Sequence, residues 1–270
     1  MPLAANTDRL DKLTLNENIH HVFDSDISFV GSMYNEKGNF YDRIYDKLAP
    51  WARGYLDAII AAQQNVYGMN FLEDMLSGTP DTNRILGELM RVEPYTPNAD
   101  GIETPAYTYA NYFLARKVAQ NERTALLSAV SEHFTTKLYT HNKTPDMPHV
   151  INQGAIDFYD NMPYVFKCSK INLNITLRSI KNGIPLRCMD IMGAGGFLMT
   201  NFQADFLNHF TPDVDYVYFE SKDDLINKCD YYLKHDDERM TIAENGHKKV
   251  QQFHNYRTRL EEIFEMCGLL

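Results

Sequence analysis

The stretch Lys170–Thr200, KINLNITLRSIKNGIPLRCMDIMGAGGFLMT, decides the fold class of this chain. It opens on Ile171–Thr176, where apolar and polar residues alternate as they do in a β-strand. A loop with Gly183 and Pro185 then leads into a helical segment, and proline suits the start of a helix. A second apolar segment, Gly196–Asn201, follows the helix. The order strand, helix, strand predicts a βαβ unit of a parallel sheet.

Short β-branched or aromatic runs bounded by turn residues recur along the chain. From Thr124 onward they alternate with helical stretches, which is typical of an open parallel sheet covered by helices. We therefore predict an α/β, Rossmann-like open parallel sheet. The predicted strands are Asp26–Gly31, Thr136–Thr140, His149–Asn152, Ile171–Thr176, Gly196–Asn201 and Asp215–Phe219.

The interval between the first two predicted strands is too long for a single crossover, and its pattern is helical. We predict a helical insertion over about residues 40–121, after the first strand, and C-terminal helices over about residues 221–266. Ser221 is the predicted N-cap of the first C-terminal helix. Both belong to one predicted domain, residues 1–270. The predicted helices of the insertion are Tyr41–Leu48, Trp51–Tyr67, Phe71–Leu76, Asp81–Arg91 and Pro105–Gln120.

Composition disfavours several classes of function. A net charge of −10 argues against nucleic-acid binding, which requires clustered Lys and Arg. The chain has no long apolar run and no secretory signal at its start, so we expect no membrane span and a cytoplasmic location. The cysteines lack C-x-x-C spacing and have no histidine at zinc-ligand spacing, so neither a disulfide framework nor a structural metal site is indicated. We expect no metal and no cofactor. They are Cys168, Cys188, Cys229 and Cys267.

The segment Lys167–Arg187 carries only positive charge in an otherwise acidic chain. Two interpretations of this segment stay open. One is a solvated basic loop. The other is a phosphate site, because arginine binds phosphate bidentately and the loop leaves the carboxyl end of a strand, where open α/β folds bind ligands. The cations are Lys167, Lys170, Arg178, Lys181 and Arg187.

Polar residues near this loop are candidates for binding a ligand. Asp190 lies close after Arg187 on the same predicted helix, and its carboxylate could accept hydrogen bonds from ribose or sugar hydroxyls. Alternatively, Asp190 complements the helix dipole and pairs with Arg187. Asn174 could orient a sugar or a phosphate. Gly31 and Ser32 end the first strand and could face a diphosphate.

Two short motifs resemble ligand-binding fingerprints in composition only. The glycines of Gly193–Gly196 follow a helix and precede a strand, whereas a dinucleotide fingerprint follows a strand. We predict a tight helix-to-strand turn, at which the backbone of Gly195 and Gly196 could approach a ligand. Asp24 and Asp26 have the D-x-D spacing of metal–diphosphate sites, but a strand follows them, so we predict a solvated turn.

Four segments together resemble the CgeB-like, spore-maturation-type glycosyltransferases, a bacterial group allied to the group 1 enzymes of the GT-B type. The segments are Lys170–Asn201, Phe219–Leu225, Asp237–Gly246 and His254–Arg259. The family pattern R-x-[FM]-[DE] followed by a glycine-rich turn falls on Arg187, Met189, Asp190 and Gly193–Gly196. The resemblance implies the GT-B donor-binding fold and a donor site. The candidate donor-site residues are Gly31, Ser32, Asn174, Arg178, Arg187, Asp190, Gly195 and Gly196.

The resemblance further implies a metal-independent, hexosyltransferase-like enzyme with a UDP- or GDP-linked sugar donor. No catalytic base is assigned, and the stereochemistry stays open because Asn182 stands where many retaining enzymes have a glutamate. Residues Pro2–Asn6 resemble the linker before a donor domain. We therefore expect the donor half, partnered by a separate acceptor-binding domain or protein. The alternatives are a non-catalytic nucleotide-sugar-binding or protein-interaction module and, disfavoured by its glycine order, a nicotinamide oxidoreductase.

Overall fold

The computed structural model describes residues 1–36, 39–97 and 101–269. Six strands form one sheet in the order β3-β2-β1-β4-β5-β6, and all neighbouring pairs are parallel. This order, 3-2-1-4-5-6, is that of the Rossmann fold, so the predicted fold class is confirmed. Each predicted strand is present, with its ends displaced by at most 2 residues. The strands are β1 Ser25–Val30, β2 Thr136–Tyr139, β3 Ile151–Gly154, β4 Ser169–Asn174, β5 Leu198–Asn201 and β6 Val217–Phe219.

Helices precede the sheet, fill the predicted insertion and follow the last strand. A 3₁₀-helix, Asp74–Leu76, and a π-helix, Tyr109–Leu114, add to the α-helices. Among the described helices, none is both long and apolar enough to cross a membrane. The α-helices are α1 Thr7–Leu10, α2 Glu17–Phe23, α3 Asp42–Tyr45, α4 Pro50–Gln64, α5 Pro80–Val92, α6 Pro105–Thr108, α7 Ala115–Ser131, α8 Met162–Cys168, α9 Leu186–Gly193, α10 Phe206–His209, α11 Lys222–Lys234, α12 Asp236–Phe253 and α13 Tyr256–Met266.

The chain divides into two compact units. The sheet unit comprises Met1–Ser32, Leu126–Thr176 and Asn182–Leu270, and it contains all six strands. The helical unit comprises Met33–Ala125 and Leu177–Lys181, and it contains the predicted helical insertion. The helical unit has its own apolar core, formed by residues such as Leu56, Leu72, Leu89 and Leu114. The organisation of residues 1–270 as a single domain stays a prediction.

The two central strands explain the alternation in the segment INLNIT. The apolar positions Ile171 and Leu173 are buried against β1, with Ile27 paired to Ile171. The polar positions are also buried, and the protein itself satisfies them. Ser28 Oγ donates to Asn172 Oδ1 at 2.8 Å, and Asn172 Nδ2 donates to the carbonyl of Phe166 at 3.0 Å. Because buried polar groups require partners, these hydrogen bonds fix the centre of the sheet.

The glycine tract after α9 forms the predicted helix-to-strand turn. Gly195 adopts the left-handed conformation, φ +81°, which favours glycine. Its amide donates to the carbonyl of Met192 at 3.0 Å, and the amide of Gly196 donates to the carbonyl of Ile191 at 2.9 Å. This pair of hydrogen bonds is the Schellman motif, which ends a helix by satisfying its last carbonyls.

Gly196→Ala is expected to destabilise the protein by about 1–3 kcal/mol, the usual cost of overpacking. A Cβ at Gly196 would lie 2.5 Å from the carbonyl oxygen of Phe166 and 2.8 Å from Asn172 Nδ2. Urea unfolding followed by circular dichroism measures the change. The control is Gly87→Ala in α5, where a Cβ meets nothing within 4 Å and should stabilise the helix by about 0.5–1 kcal/mol. Equal effects of the two substitutions would contradict this packing.

Candidate functional site

Polar residues gather where β1 and β4 end. The chain leaves β1 toward β2 on one side, while β4 lies on its other side, so the topological switch point falls between them. Phe29 pairs with Leu173, which places Gly31 and Asn174 at the same carboxyl edge of the sheet. Open α/β sheets bind their ligands in the crevice at this position.

Hydrogen bonds hold the side chains at this edge in place. Asn174 is buried, and its Nδ2 donates to Thr176 Oγ1 at 2.9 Å and to Thr200 Oγ1 at 3.0 Å. Ser32 Oγ donates to Asn142 Oδ1 at 3.2 Å, in the loop after the neighbouring strand β2. These contacts orient Asn174 and Ser32 before any ligand arrives.

The helix α9 carries Arg187 and Asp190 on one face, because residues three apart are neighbours on a helix. The opposite face, including Cys188 and Met192, is fully buried in the core of the sheet unit. Since α9 follows β4, its first turn lies on the carboxyl side of the sheet. The packing of the apolar face thus leaves both charged side chains on the partly buried face of α9.

A pocket of about 300 Å³ lies beside α9 within the sheet unit. Its size is at the lower end of small-molecule sites, which occupy about 300–1,000 Å³. Its walls combine one carboxylate, one guanidinium and several aromatic rings. Asp190, Arg9, Tyr159, Phe166 and Tyr256 are among the lining residues. Such a lining can bind a molecule that has both flat apolar faces and hydroxyl groups.

Asp190 has an unsatisfied carboxylate oxygen and a raised pKa in this pocket. Its Oδ2 is buried and has no hydrogen-bond partner among the described residues 1–36, 39–97 and 101–269. Burial raises the pKa of Asp190 to about 6, and the positive charge of Arg187 opposes that rise. An oxygen that is buried without a partner costs stability. Ligand hydroxyls that donate to Asp190 would remove this cost.

Arg187 lies next to Asp190 and is itself largely buried. Its guanidinium lies 5.8 Å from the ring centroid of Phe166, and its Nη1 contacts the sulfur of Met162. Burial lowers the pKa of Arg187, while Asp190 counteracts the shift. No ion pair within 4.0 Å joins Arg187 to a carboxylate in the described parts of the chain. The predicted alternative of a direct Arg187–Asp190 ion pair is therefore absent from these residues.

Three of the other four cations of the basic segment are neutralised by carboxylates from distant parts of the sequence. Lys170 pairs with Asp26 at 2.9 Å in the sheet unit. In the helical unit, Arg178 pairs with Glu122 at 2.8 Å, and Lys181 pairs with Glu73 at 3.3 Å. The structure therefore favours Arg187 as the cation of this segment that faces an unsatisfied carboxylate.

The structure brings together only some of the residues that the sequence predicted for the site. Gly31, Ser32 and Asn174 share the carboxyl edge, and Arg187 and Asp190 share α9. Gly195 and Gly196 instead lie between the end of α9 and the start of β5, which is the amino edge of the sheet. Arg178 belongs to the helical unit, where the ring centroid of Tyr67 lies 4.5 Å from its guanidinium.

Sequence reasoning missed the other walls of the pocket. Arg9 precedes the first strand, Tyr159 lies in the loop after β3, and Tyr256 begins α13. The guanidinium of Arg9 lies 5.7 Å from the ring centroid of Tyr159. No spacing in the sequence connects these three residues, because they meet only when the chain termini pack against α8 and α9.

Asp190→Asn is expected to stabilise the protein at pH 8 by on the order of 1–3 kcal/mol. The pKa of Asp190 is raised on folding, so the native state holds a proton between pH about 4 and 6 that the unfolded state has lost. The contribution of Asp190 to stability therefore falls as the pH rises through this window.

Urea unfolding at pH 4 and pH 8 measures this effect. Asp190→Asn should have a higher free energy of unfolding than the natural protein at pH 8, and the difference should nearly vanish at pH 4. The control is Asp46→Asn, at an exposed position. A pH-independent difference for Asp190→Asn would show that burial does not perturb this carboxyl group.

The sheet order and the pocket define an open α/β protein with a small-molecule-sized pocket beside α9. A family model described as glycosyl transferase-like matches residues 114–265, more than half of the chain. The chain therefore belongs to this glycosyl transferase-like family. The matched part contains β2 to β6 and the helix α9 with Arg187 and Asp190. No curated protein sequence matches the chain.

Several solved structures are similar to this chain at low sequence identity. Sucrose-phosphate synthase from Thermosynechococcus elongatus is 12% identical with a TM-score of 0.43, and the match covers 54% of this chain and 42% of that one. A glycosyltransferase from Rickettsia africae is 10% identical with a TM-score of 0.47, over 98% of this chain and 55% of that one. HepE from Anabaena in complex with UDP is 11% identical with a TM-score of 0.45, over 91% and 100%. The match thus spans about half of the first two proteins.

Proposed function

We propose that this chain is the donor-binding half of a metal-independent glycosyltransferase of the GT-B type, and that it binds a nucleotide-activated sugar. One observation carries the proposal. The chain belongs to a glycosyl transferase-like family, and Asp190, which lines the pocket, has a buried oxygen, Oδ2, without a hydrogen-bond partner among the described residues.

Asp190 accepts hydrogen bonds from vicinal hydroxyl groups of the ribose or the sugar. A hydrogen bond to a charged group contributes about 1.5–3 kcal/mol, and its value is greatest where the acceptor would otherwise be buried unsatisfied. The aromatic walls of the pocket, such as Tyr159 and Tyr256, offer flat surfaces to a base or to the apolar face of a sugar ring.

Arg187 stabilises the departing nucleoside diphosphate. When the bond between the anomeric carbon and the diphosphate oxygen breaks, negative charge develops on that oxygen. A guanidinium fixed in a partly buried site stabilises this charge electrostatically, without a metal ion. The first amides of α9 add to this effect, since a helix begins with unpaired N–H groups. Gly31 and Ser32 lie near the phosphates, and Asn174 orients the sugar or phosphate.

The donor is proposed to be a UDP- or GDP-linked sugar. The chain is further proposed to belong to the CgeB-like, spore-maturation-type group of bacterial glycosyltransferases. Support for this group comes from the pattern on Arg187, Met189 and Asp190 followed by the glycine turn. A separate domain or protein binds the acceptor and supplies the catalytic base. A cytoplasmic location stays a prediction.

Calorimetric titration with UDP-glucose, GDP-mannose and NADH, followed by assays of donor hydrolysis and glycosyl transfer, tests this function. The proposal predicts binding of a nucleotide sugar and its turnover once an acceptor is present. Binding without any turnover across an acceptor panel would support a non-catalytic nucleotide-sugar-binding module. Tight binding of NADH with no binding of nucleotide sugars would contradict the donor site and support an oxidoreductase.

A further inference from the structure

A second cluster of reactive side chains lies at the amino edge of the sheet. One nitrogen of His20, one carboxylate oxygen of Asp24 and the sulfur of Cys168 lie within 4.8 Å of one another. The six-residue strands β1 and β4 separate this edge from the carboxyl edge by roughly 20 Å. The cavity at the cluster also shares no lining residue with the Asp190 pocket, so the two places are distinct. The glycosyl-transfer proposal makes no use of the cluster.

The register of the sheet holds two of these residues side by side. Ser25 and Ser169 are paired at the starts of β1 and β4, and their Oγ atoms lie 3.0 Å apart. Asp24 and Cys168 directly precede this pair. Neighbouring strands lie about 4.8 Å apart, so the backbone keeps the carboxylate and the thiol within reach of one bound ion.

The third residue, His20, is positioned by the helix α2. Asn16 caps this helix, and His20 lies one turn before Asp24, which places both side chains on one face. The ring Nδ1 of His20 lies 2.8 Å from Asp24 Oδ1. The rings of Phe23 and Tyr164 stack at 6.1 Å and fix α2 against α8, the helix that ends with Cys168.

We propose that His20, Asp24 and Cys168 bind a divalent transition-metal ion, with Zn²⁺ as the best fit. Thiolate, imidazole and carboxylate are the three ligand types of protein zinc sites, and a thiolate selects against Mg²⁺ and Ca²⁺. Ligand atoms around tetrahedral zinc lie about 3.5 Å apart, so the His20–Asp24 contact must widen by less than an ångström. Both side chains are exposed and can make this adjustment.

The surroundings leave room for a fourth ligand, and the positive charges of Lys137 and Lys167 also act on Cys168. The cluster borders an open cavity of about 450 Å³, which admits a water molecule to the fourth position. The ammonium group of Lys170 lines the same cavity, but Asp26 pairs with it at 2.9 Å. The thiol of Cys168 loses its proton to solvent when the metal binds, as cysteine ligands do.

This site differs from the expectation drawn from the sequence, which predicted no metal. The ligand residues lack a zinc-type spacing because the fold, and not a local motif, brings Cys168 to His20 and Asp24. An ion at this position would join α2 to the end of α8. It would raise the stability of the folded state by mass action, since the unfolded chain holds no such cluster.

Titration of the metal-free protein with Co²⁺ tests the proposal. A tetrahedral site with a thiolate ligand gives intense d–d bands and a thiolate-to-cobalt charge-transfer band. Zn²⁺ should displace the Co²⁺ and so remove both kinds of band. Cys168→Ser should abolish the charge-transfer band, and His20→Ala should weaken Co²⁺ binding at least ~10-fold, since loss of an outer-shell partner alone has that effect. Zn²⁺ should raise the melting temperature of the natural protein but not that of Cys168→Ser.

The controls are His21→Ala, on the same helix, and Cys267→Ser, at an exposed cysteine. Both should keep the natural spectrum and affinity. The proposal is overturned if the natural protein shows no saturable charge-transfer band, or if Cys168→Ser keeps that band. It is also overturned if Cys267→Ser removes it. His20→Ala keeps the outcome interpretable if Cys168→Ser does not fold, because His20 is exposed.

Discussion

Replacing Glu122 with alanine is expected to lower the free energy of unfolding of the helical unit by about 3–5 kcal/mol. Glu122 and Arg178 form an ion pair at 2.8 Å, and their side chains are only 3% and 4% exposed. Burial raises the pKa of Glu122, and the charge of Arg178 opposes that rise. Removing Glu122 leaves a guanidinium buried without its counter-charge, which is the costly way to break such a pair.

The fluorescence of Trp51 measures this effect directly. Trp51 is the single tryptophan of the chain and lies in α4 of the helical unit, where the guanidinium of Arg84 lies 3.9 Å from its ring centroid. Urea unfolding followed at Trp51 should shift strongly in Glu122→Ala. The control is Glu73→Ala, which breaks the exposed pair with Lys181 and should cost less than about 1 kcal/mol.

The double variant Glu122→Leu with Arg178→Met separates the ion pair from simple packing. Replacing both members of a buried pair with apolar residues is often neutral, so the double variant should recover most of the stability lost in Glu122→Ala. If Glu122→Ala has no more effect than Glu73→Ala, the Arg178 guanidinium is not confined by this pair, and it would then be available to a ligand.

Arg187→Ala is expected to weaken the binding of a nucleoside diphosphate by about 1.5–3 kcal/mol, a loss of about 10- to 150-fold. This is the range for a hydrogen bond to a charged group. Arg187 has no carboxylate within 4.0 Å among the described residues, so no ion pair with these residues neutralises its charge. Calorimetric titration with the nucleoside diphosphate, without its sugar, measures the loss of affinity.

Two matched variants make this test specific. Lys170→Ala removes another cation of the same segment, but one that is paired with Asp26 at the amino edge, so the affinity should change less than about twofold. Arg187→Lys keeps the positive charge but lacks the planar N–H donors of the guanidinium. Its affinity for the nucleoside diphosphate should lie between those of Arg187→Ala and Lys170→Ala. Circular dichroism checks the fold, because Arg187 also packs near Phe166. An unchanged affinity in Arg187→Ala would move the phosphate site elsewhere.

The sequence predicted the sheet well because strand patterns are local. All six strands were found from alternation and turn residues, and βα alternation indicated the parallel order. The short helix α8, Met162–Cys168, was not predicted. Its β-branched and aromatic residues and its proline resemble a strand or a loop more than a helix, and only packing against β4 and α9 makes it helical.

The candidate site was less predictable because its electrostatics depend on distant residues. The carboxylates that neutralise Arg178, Lys181 and Lys170 lie 56, 108 and 144 residues away along the chain. Most cations of this basic segment are therefore paired with carboxylates in the folded protein. The sequence could predict Asp190 as a site residue because it falls within a family pattern on the same helix as Arg187, where spacing along the chain determines which residues are neighbours.

Binding of the sugar nucleotide in the Asp190 pocket is tested most directly by one calorimetric comparison. The natural protein and Asp190→Ala are each titrated with UDP-glucose and GDP-mannose at pH 7.5, above the pKa of about 6 for Asp190. We predict that the natural protein binds one of these donors and that Asp190→Ala binds it at least ~10-fold more weakly, the value of one charge-assisted hydrogen bond. Equal affinity of the two proteins for that donor would contradict the assignment.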